Sequence, residues 1–403
     1  MSASSPWTHV ARAAAALAAG MGVGRFVYTP ILPLMHTQAG LSAGAGASLA
    51  TANYVGYLVG ALAGILAPVL VRSRTVLRGS LLLLTGTLGA MPLTHSTAVW
   101  GLLRLLAGLA SALVFVVAAG SLLHHLREHP PHLSGWAFGG VGGGIALSGL
   151  LVLVLRSVAD WRAAWGAAAA LAAMLAAASW NLPPEDAPVA PAARSSTKLR
   201  THRWFGALFV SYTLEGVGYI IAGTFLVAAI GQGSPGRLGS VAWVLVGLAA
   251  VPSSALWARL GRRWSRPGLL LTALVIQAAG IALPALVGGT AAALGSAVLF
   301  GATFIGVSTL ALATGAHLQF PRSIALLTAG YSVGQILGPL AVAPLLHHGY
   351  HRALRLAALG VLAAAAAAAV LRIGFPHHMA VADHTAPVPQ REPSGRLARR
   401  GRS

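Results

Sequence analysis

The chain has 403 residues, 56% of them apolar and only 8% charged, where a soluble domain carries about 25% charged residues. Together with the absence of Cys, this excludes a disordered protein, a disulfide scaffold and an ordinary soluble enzyme. The charge is lopsided, with 27 Lys and Arg against 7 Asp and Glu for a net +20, and in so apolar a chain this points to basic loops at a membrane surface before it points to nucleic acid.

A membrane-crossing helix needs about 20 mostly apolar residues, and charge-poor runs of that length recur. The first predicted span, 10–35, carries Arg25, and its Pro30 and Pro33 are expected to break the helix beside that charge. No small-residue cleavage site is seen in it, so it reads as a retained span and not a signal peptide. The small-polar stretch His36–Ala47 turns the chain into span two, 48–70. Spans three (75–94) and four (97–123) follow, with Arg104 inside the latter. Span five (134–156) sets small residues four apart at Gly140, Gly144 and Ser148, and span six is 161–181. Residues 182–203, rich in Pro, Ala, Arg and Ser, read as a cytoplasmic linker.

The second half repeats the plan. Span seven (204–230) holds Glu215, and span eight (238–258) ends on a basic loop. The charge-free stretch Pro267–Pro321 is long enough for spans nine (268–287) and ten (291–313), split at Gly288-Gly289-Thr290. Spans eleven (323–346) and twelve (352–373) complete the count, and residues 375–403 read as a disordered basic cytoplasmic tail. The expected architecture is all-α, with twelve transmembrane helices in two six-helix bundles, 1–181 and 204–374. With the N-terminus inside, twenty Lys and Arg fall on the cytoplasmic face and five (Arg156, Arg162, Arg237, Arg352 and Arg355) on the other. The asymmetry places both termini in the cytoplasm, in a bacterial-style inner membrane.

The halves echo one another. Gly22-Val23-Gly24-Arg25-Phe26 in span one parallels Gly216-Val217-Gly218-Tyr219-Ile220 in span seven. Gly140, Gly144 and Ser148 parallel Gly330, Gly334 and Gly338, spacings that let helices approach closely. Parallel six-helix repeats related by an axis along the membrane normal are a transporter architecture.

Several phrases resemble the major facilitator superfamily. Ser254-Ala255-Leu256-Trp257-Ala258-Arg259-Leu260-Gly261-Arg262-Arg263 is similar to its loop signature Gly-x-Leu-x-Asp-Arg-x-Gly-Arg-Arg, departing at Ser254 and at Ala258 and so lacking the acid of the usual Asp–Arg gate contact. The resemblance makes Arg259, Gly261, Arg262 and Arg263 a cytoplasmic gate loop. Arg104-Leu105-Leu106-Ala107-Gly108 resembles the fourth-span signature Arg-x-x-x-Gly, which implies a place near the proton path. Gly334-Gln335-Ile336-Leu337-Gly338-Pro339 resembles the Gly-rich antiporter pattern. Within the superfamily, Gly24–Met35, Ala52–Leu58, Leu214–Tyr219 and Gly301–Gly306 resemble the YbfB/YjiJ-type family.

Ionisable residues at membrane depth are functional candidates by default, and there are three: Arg25, Arg104 and Glu215. At 1.5 Å per residue, Glu215 lies ~17 Å along its span and Arg25 ~22 Å along its own, an axial offset within reach of an Arg side chain. An Arg25–Glu215 pair is therefore expected across the cavity. A carboxyl that exchanges its Arg partner between two conformations could couple a proton to transport; the alternative is a permanent structural ion pair joining the halves. Arg104 either tunes the proton path or packs against carbonyls of a neighbouring helix. Two cations against one acid favour an anionic or zwitterionic solute. Polar or aromatic residues within spans, namely Tyr28, Asn53, Tyr57, Tyr212, Tyr219, Trp243, Gln277, Thr303, Tyr331 and Gln335, are candidates to line its site, with Arg25 as a further anchor.

Other chemistries find little support. No Gly-Lys-Ser/Thr phosphate loop occurs, no Ser/His/Asp constellation sits at membrane depth, and the His pairs lack convergent partners. The expectation is a monomeric, proton-coupled secondary transporter of a small organic solute, working by alternating access. It needs no metal, cofactor or nucleic acid and is not an enzyme. The alternative is a transport-like membrane sensor or assembly factor without flux.

Overall fold

The computed structural model describes residues 6–126, 129, 132–184, 201–234 and 236–376; most of the predicted linker and nearly all of the tail lie outside them. Twelve helices among these residues are long and apolar enough to cross a membrane: α1 (Pro6–Gln38), α2 (Ala43–Leu66), α3 (Arg74–Leu93), α4 (Thr97–Leu122), α5 (Leu133–Leu155), α6 (Trp161–Ser179), α7 (His202–Gly233), α8 (Leu238–Leu260), α9 (Arg266–Leu286), α10 (Gly289–His317), α11 (Ser323–His348) and α12 (Tyr350–Leu371). The apolar runs therefore become helices, as the absence of water to satisfy backbone groups requires.

Local chemistry sets the ends. Ser42, Ser73, Ser96 and Asp160 cap α2, α3, α4 and α6, each accepting from the backbone N–H three residues on. The Ser42 cap draws the start of α2 five residues upstream of its predicted boundary, so most of the expected His36–Ala47 turn is helical and only 39–42 turn the chain. The same helix stops at Leu66, earlier than predicted, because Pro68 offers no N–H and opens a separate short turn, Pro68–Val71. Between α9 and α10, Gly288 and Gly289 have φ of 70° and 81°, a left-handed pair that side chains rarely adopt.

The packing repeats twice. In the first half α1 packs on α5, α2 on α4 and α3 on α6; in the second, α7 packs on α11, α8 on α10 and α9 on α12. The echoed small residues occupy matching seams. A Cβ at Gly140 or Gly144 would strike the backbone of α1 at Ala14 and Ala18, and one at Gly334 or Gly338 would strike α7 at Thr213 and Val217. The pseudo-two-fold repeat is thus carried by close backbone contact. Between the halves, α5 runs along α8, with Gly142 and Gly247 facing one another, and α2 packs on α11. On the side of the termini, α1 from Pro6 to Leu17 packs on α4, α5 and α6 of its own half, whereas from Tyr28 to Gln38 it packs on α7 of the other.

Candidate functional site

α1 is not one continuous helix. A π-helical turn, Ala18–Val23, is followed by a non-helical turn at 24–27 and a resumed helix from Tyr28 to Gln38. Such bulges cluster at functional sites. The break lies at Arg25 but upstream of the two prolines expected to cause it. Pro30 sits in the first turn of the resumed helix, where no N–H is needed, and Pro33 is carried inside it.

Arg104 of α4 clamps this break. Its Nη1 and Nη2 donate to the carbonyl oxygens of Gly24 and Arg25, both at 3.2 Å. Its guanidinium lies over the rings of Tyr28 and Trp165 at 5.1 and 5.8 Å. Asn53 Nδ2 donates to the Arg104 carbonyl at 2.9 Å, tying α2 to the same point. Tyr28 O–H donates to the Gly46 carbonyl at 2.8 Å.

Arg25, 3% exposed, turns the other way into an aromatic cage. Its guanidinium carbon lies 4.4 Å from the ring centre of Tyr57, 5.0 Å from Tyr54 and 5.4 Å from Phe26. Its Nη2 donates to Gln335 Oε1 of α11 at 2.6 Å, while Arg25 Nε and Gln335 Nε2 have no hydrogen-bond partner. The Tyr54 hydroxyl bonds Thr224 of α7 at 2.8 Å, and Thr29 Oγ1 donates to the Gly223 carbonyl at 2.5 Å, so α1 and α2 are both fastened to α7 here.

Glu215 is fully buried and sits in the second half. Oε1 accepts from Gln277 Nε2 of α9 at 3.2 Å, and Oε2 has no partner. The expected Arg25–Glu215 pair is not formed. Matching axial depth ignored direction around the helix: Glu215 faces α9 of its own bundle, and Arg25 faces α2 and α11. Rings flank the acid. Tyr331 stacks on Tyr212 at 4.3 Å and lies 5.6 Å from Tyr219, which stacks in turn on Phe304 at 5.6 Å.

The remaining predicted residues scatter. Trp243 is buried 6.4 Å from Phe26 with its indole N–H unpartnered. The Thr303 hydroxyl donates back to Leu299 and Phe300 of its own helix. Arg259, Arg262 and Arg263 are exposed around the end of α8, which Gly261 caps, far from the cage in sequence and on the terminus side. Sequence reasoning missed Tyr54, Phe26 and Trp165 as partners of the two arginines. The Tyr54/Tyr57 spacing of three was a legible signal, since it puts both rings on one face.

On the side away from the termini, a cavity of about 430 Å³ lies between the halves, lined among others by Pro33, His36, Arg156, Gln232, Ser240 and Tyr350. Its lining includes neither Arg25 nor Glu215. His36 Nδ1 contacts the Leu41 carbonyl and so carries the proton; its Nε2 then accepts from Tyr350 O–H at 2.8 Å, a latch from α1 to α12.

The family profile described as "Uncharacterised MFS-type transporter YbfB" matches residues 17–371. The crystal structure of a point mutant of the nucleoside transporter NupG is similar in fold, with a TM-score of 0.65 at 14% identity over 91% of this chain and 98% of that one. No sequence among curated proteins matches the chain.

Proposed function

The chain belongs to the YbfB-type family of major facilitator transporters, and on that premise we propose that it moves a small organic solute by rocking its two halves, with Glu215 as the site that binds and releases the coupling proton. The observation that carries the proton role is the setting of Glu215: fully buried, one oxygen on a neutral amide, the other unpartnered, and no cation bonded to it among the described residues. With no positive partner, the counter-charge available to this carboxyl is a proton, exchanged when rocking changes its access to water. The seams α5–α8 and α2–α11 are the contacts about which the halves would turn. Among the described residues, α1 packs on α7 through Tyr28–Gln38, on the side away from the termini.

The twenty-to-five distribution of basic residues supports placing the terminus side in the cytoplasm and the protein in the inner membrane. Lipid is its surrounding partner, and the chain acts as a monomer. A transport-like sensor without flux is the rival. Thermal-shift screening of the purified protein against metabolites selects a solute, and flux of that solute into proteoliposomes under an imposed pH gradient is then measured. Glu215→Gln is expected to lose gradient-driven accumulation while keeping solute exchange. Accumulation in Glu215→Gln equal to that of the unsubstituted protein sinks the proton role, and absence of flux for any stabilising solute favours the sensor.

A further inference from the structure

Arg25 is a buried cation without a counter-ion. Among the described residues, its one hydrogen bond goes to a neutral amide oxygen, and no carboxylate reaches it. An isolated charge in so apolar a setting is expensive, and cation–π contact with Phe26, Tyr54 and Tyr57 offsets only part of that cost. Beside it are two N–H groups with no acceptor, Arg25 Nε and Gln335 Nε2. Buried donors without acceptors are rare and call for an explanation. A donor-rich, positively charged site with no acid lacks a negatively charged acceptor. A carboxylate would satisfy the fork of Arg25 through two parallel bonds, displacing Gln335 Oε1 and leaving that amide free to turn its N–H towards the newcomer.

The walls indicate the body attached to that carboxylate. The rings against Arg25 are three aromatics, and beyond them the Tyr331, Tyr219 and Phe304 rings lie within 11–16° of parallel. These rings already stack on one another at centroid separations of 5.6 Å, and a flat aromatic guest can extend such a stack at its end where a globular aliphatic one cannot. We infer that the solute is an aromatic carboxylate, held by its carboxylate on Arg25 and Gln335 with its ring among the cage aromatics. This deepens the transport reading and rests on it for why the site exists, but it concerns binding alone.

Calorimetric titration of the full-length detergent-purified protein tests it, with benzoate as the probe and benzamide and cyclohexanecarboxylate as its neutral and non-planar counterparts. Saturable benzoate binding is expected, with benzamide and cyclohexanecarboxylate each at least about tenfold weaker, the scale of one lost charge-assisted or stacking contact. Arg25→Gln should abolish benzoate binding. Gln335→Leu, which leaves the cation in place, should weaken it several-fold and keeps the test open if Arg25→Gln fails to fold. Benzamide binding as tightly as benzoate, or benzoate binding unchanged in both variants, overturns the anion site. Cyclohexanecarboxylate equal to benzoate overturns the aromatic class. No binding by any of the three overturns the inference outright, while gradient-driven flux of another solute would leave the proton-coupled reading standing.

Discussion

Gly108→Ala is the sharpest test of how the packing positions the site. Gly108 lies on α4 against α2, where an added Cβ would overlap the carbonyl oxygen of Asn53 and sit 2.8 Å from its carbonyl carbon and 3.0 Å from the Tyr57 nitrogen. Real Cβ atoms essentially never approach closer than 3.0 Å, and the obstacle is backbone, which cannot rotate aside. The seam is tight from both sides, since a Cβ at Gly56 would likewise overlap the Leu105 carbonyl. The helices must therefore separate by about an ångström, at the ~1–3 kcal/mol typical of overpacking, or more because no side chain can yield. The separation also pulls Asn53 from the Arg104 carbonyl and lifts Tyr54 and Tyr57 from Arg25. Gly86→Ala on α3 is the matched control, because a Cβ there meets nothing within 4 Å. Thermal unfolding in detergent should show Gly108→Ala clearly destabilised, by about 2–4 kcal/mol, and Gly86→Ala unchanged or slightly stabilised, as helix propensity favours Ala by up to ~1 kcal/mol. Equal stability of the two variants would refute the close α2–α4 approach and the placement of the tyrosines that depends on it.

Arg104→Leu orphans the Gly24 and Arg25 carbonyls, and at ~1–3 kcal/mol for each buried unsatisfied group it should cost about 2–5 kcal/mol in detergent unfolding. Arg104→Lys should recover only part, since a point ammonium cannot reproduce the fork. Gly289→Ala, at a φ of 81°, should cost about 1–2 kcal/mol from left-handed backbone strain, read by the same unfolding assay. His36→Ala removes the latch to Tyr350. Because the chain has no Cys, a single Ser240→Cys in the cavity lining is a clean reporter, and its maleimide labelling should speed up several-fold in the His36→Ala background; an unchanged rate would count against the latch.

The spans were legible because burial in lipid writes itself as absence of charge, and the repeat because close packing writes itself as glycine at every fourth position. Even the break in α1 was foreshadowed, although its location at 24–27 reflects the π-turn and not Pro30 or Pro33. The partners of the buried charges were not legible. Residue spacing gives depth along a helix accurately, but the azimuth of Glu215 depends on which neighbour packs where, and that fixed Gln277 and not Arg25 as its contact. Arg104 was harder still. It binds backbone carbonyls, and a carbonyl carries no residue-type signal. The gate-loop arginines matched a motif, yet their exposed positions set them apart from the buried cluster.

Gln335 explains why an amide, and not an acid, faces Arg25. A Glu at that point would form a buried ion pair, and two unit charges about 4 Å apart attract by ~4 kcal/mol even at an effective dielectric of 20, so any incoming carboxylate would have to displace a like-charged competitor. A neutral acceptor holds the guanidinium more weakly and yields to an anion. Gln335 also stands one turn beyond Tyr331, whose ring stacks on Tyr212 and Tyr219, three residues before and four after Glu215. Gln335→Glu should separate the two roles of this position. The variant is expected to unfold at the same or a higher temperature, because Arg25 gains its counter-ion, and to bind benzoate at least about tenfold more weakly, because the seat is taken. A variant that binds benzoate as the unsubstituted protein does would show that the carboxylate does not sit on Arg25, and one that is destabilised would show that the cage does not lack an anion.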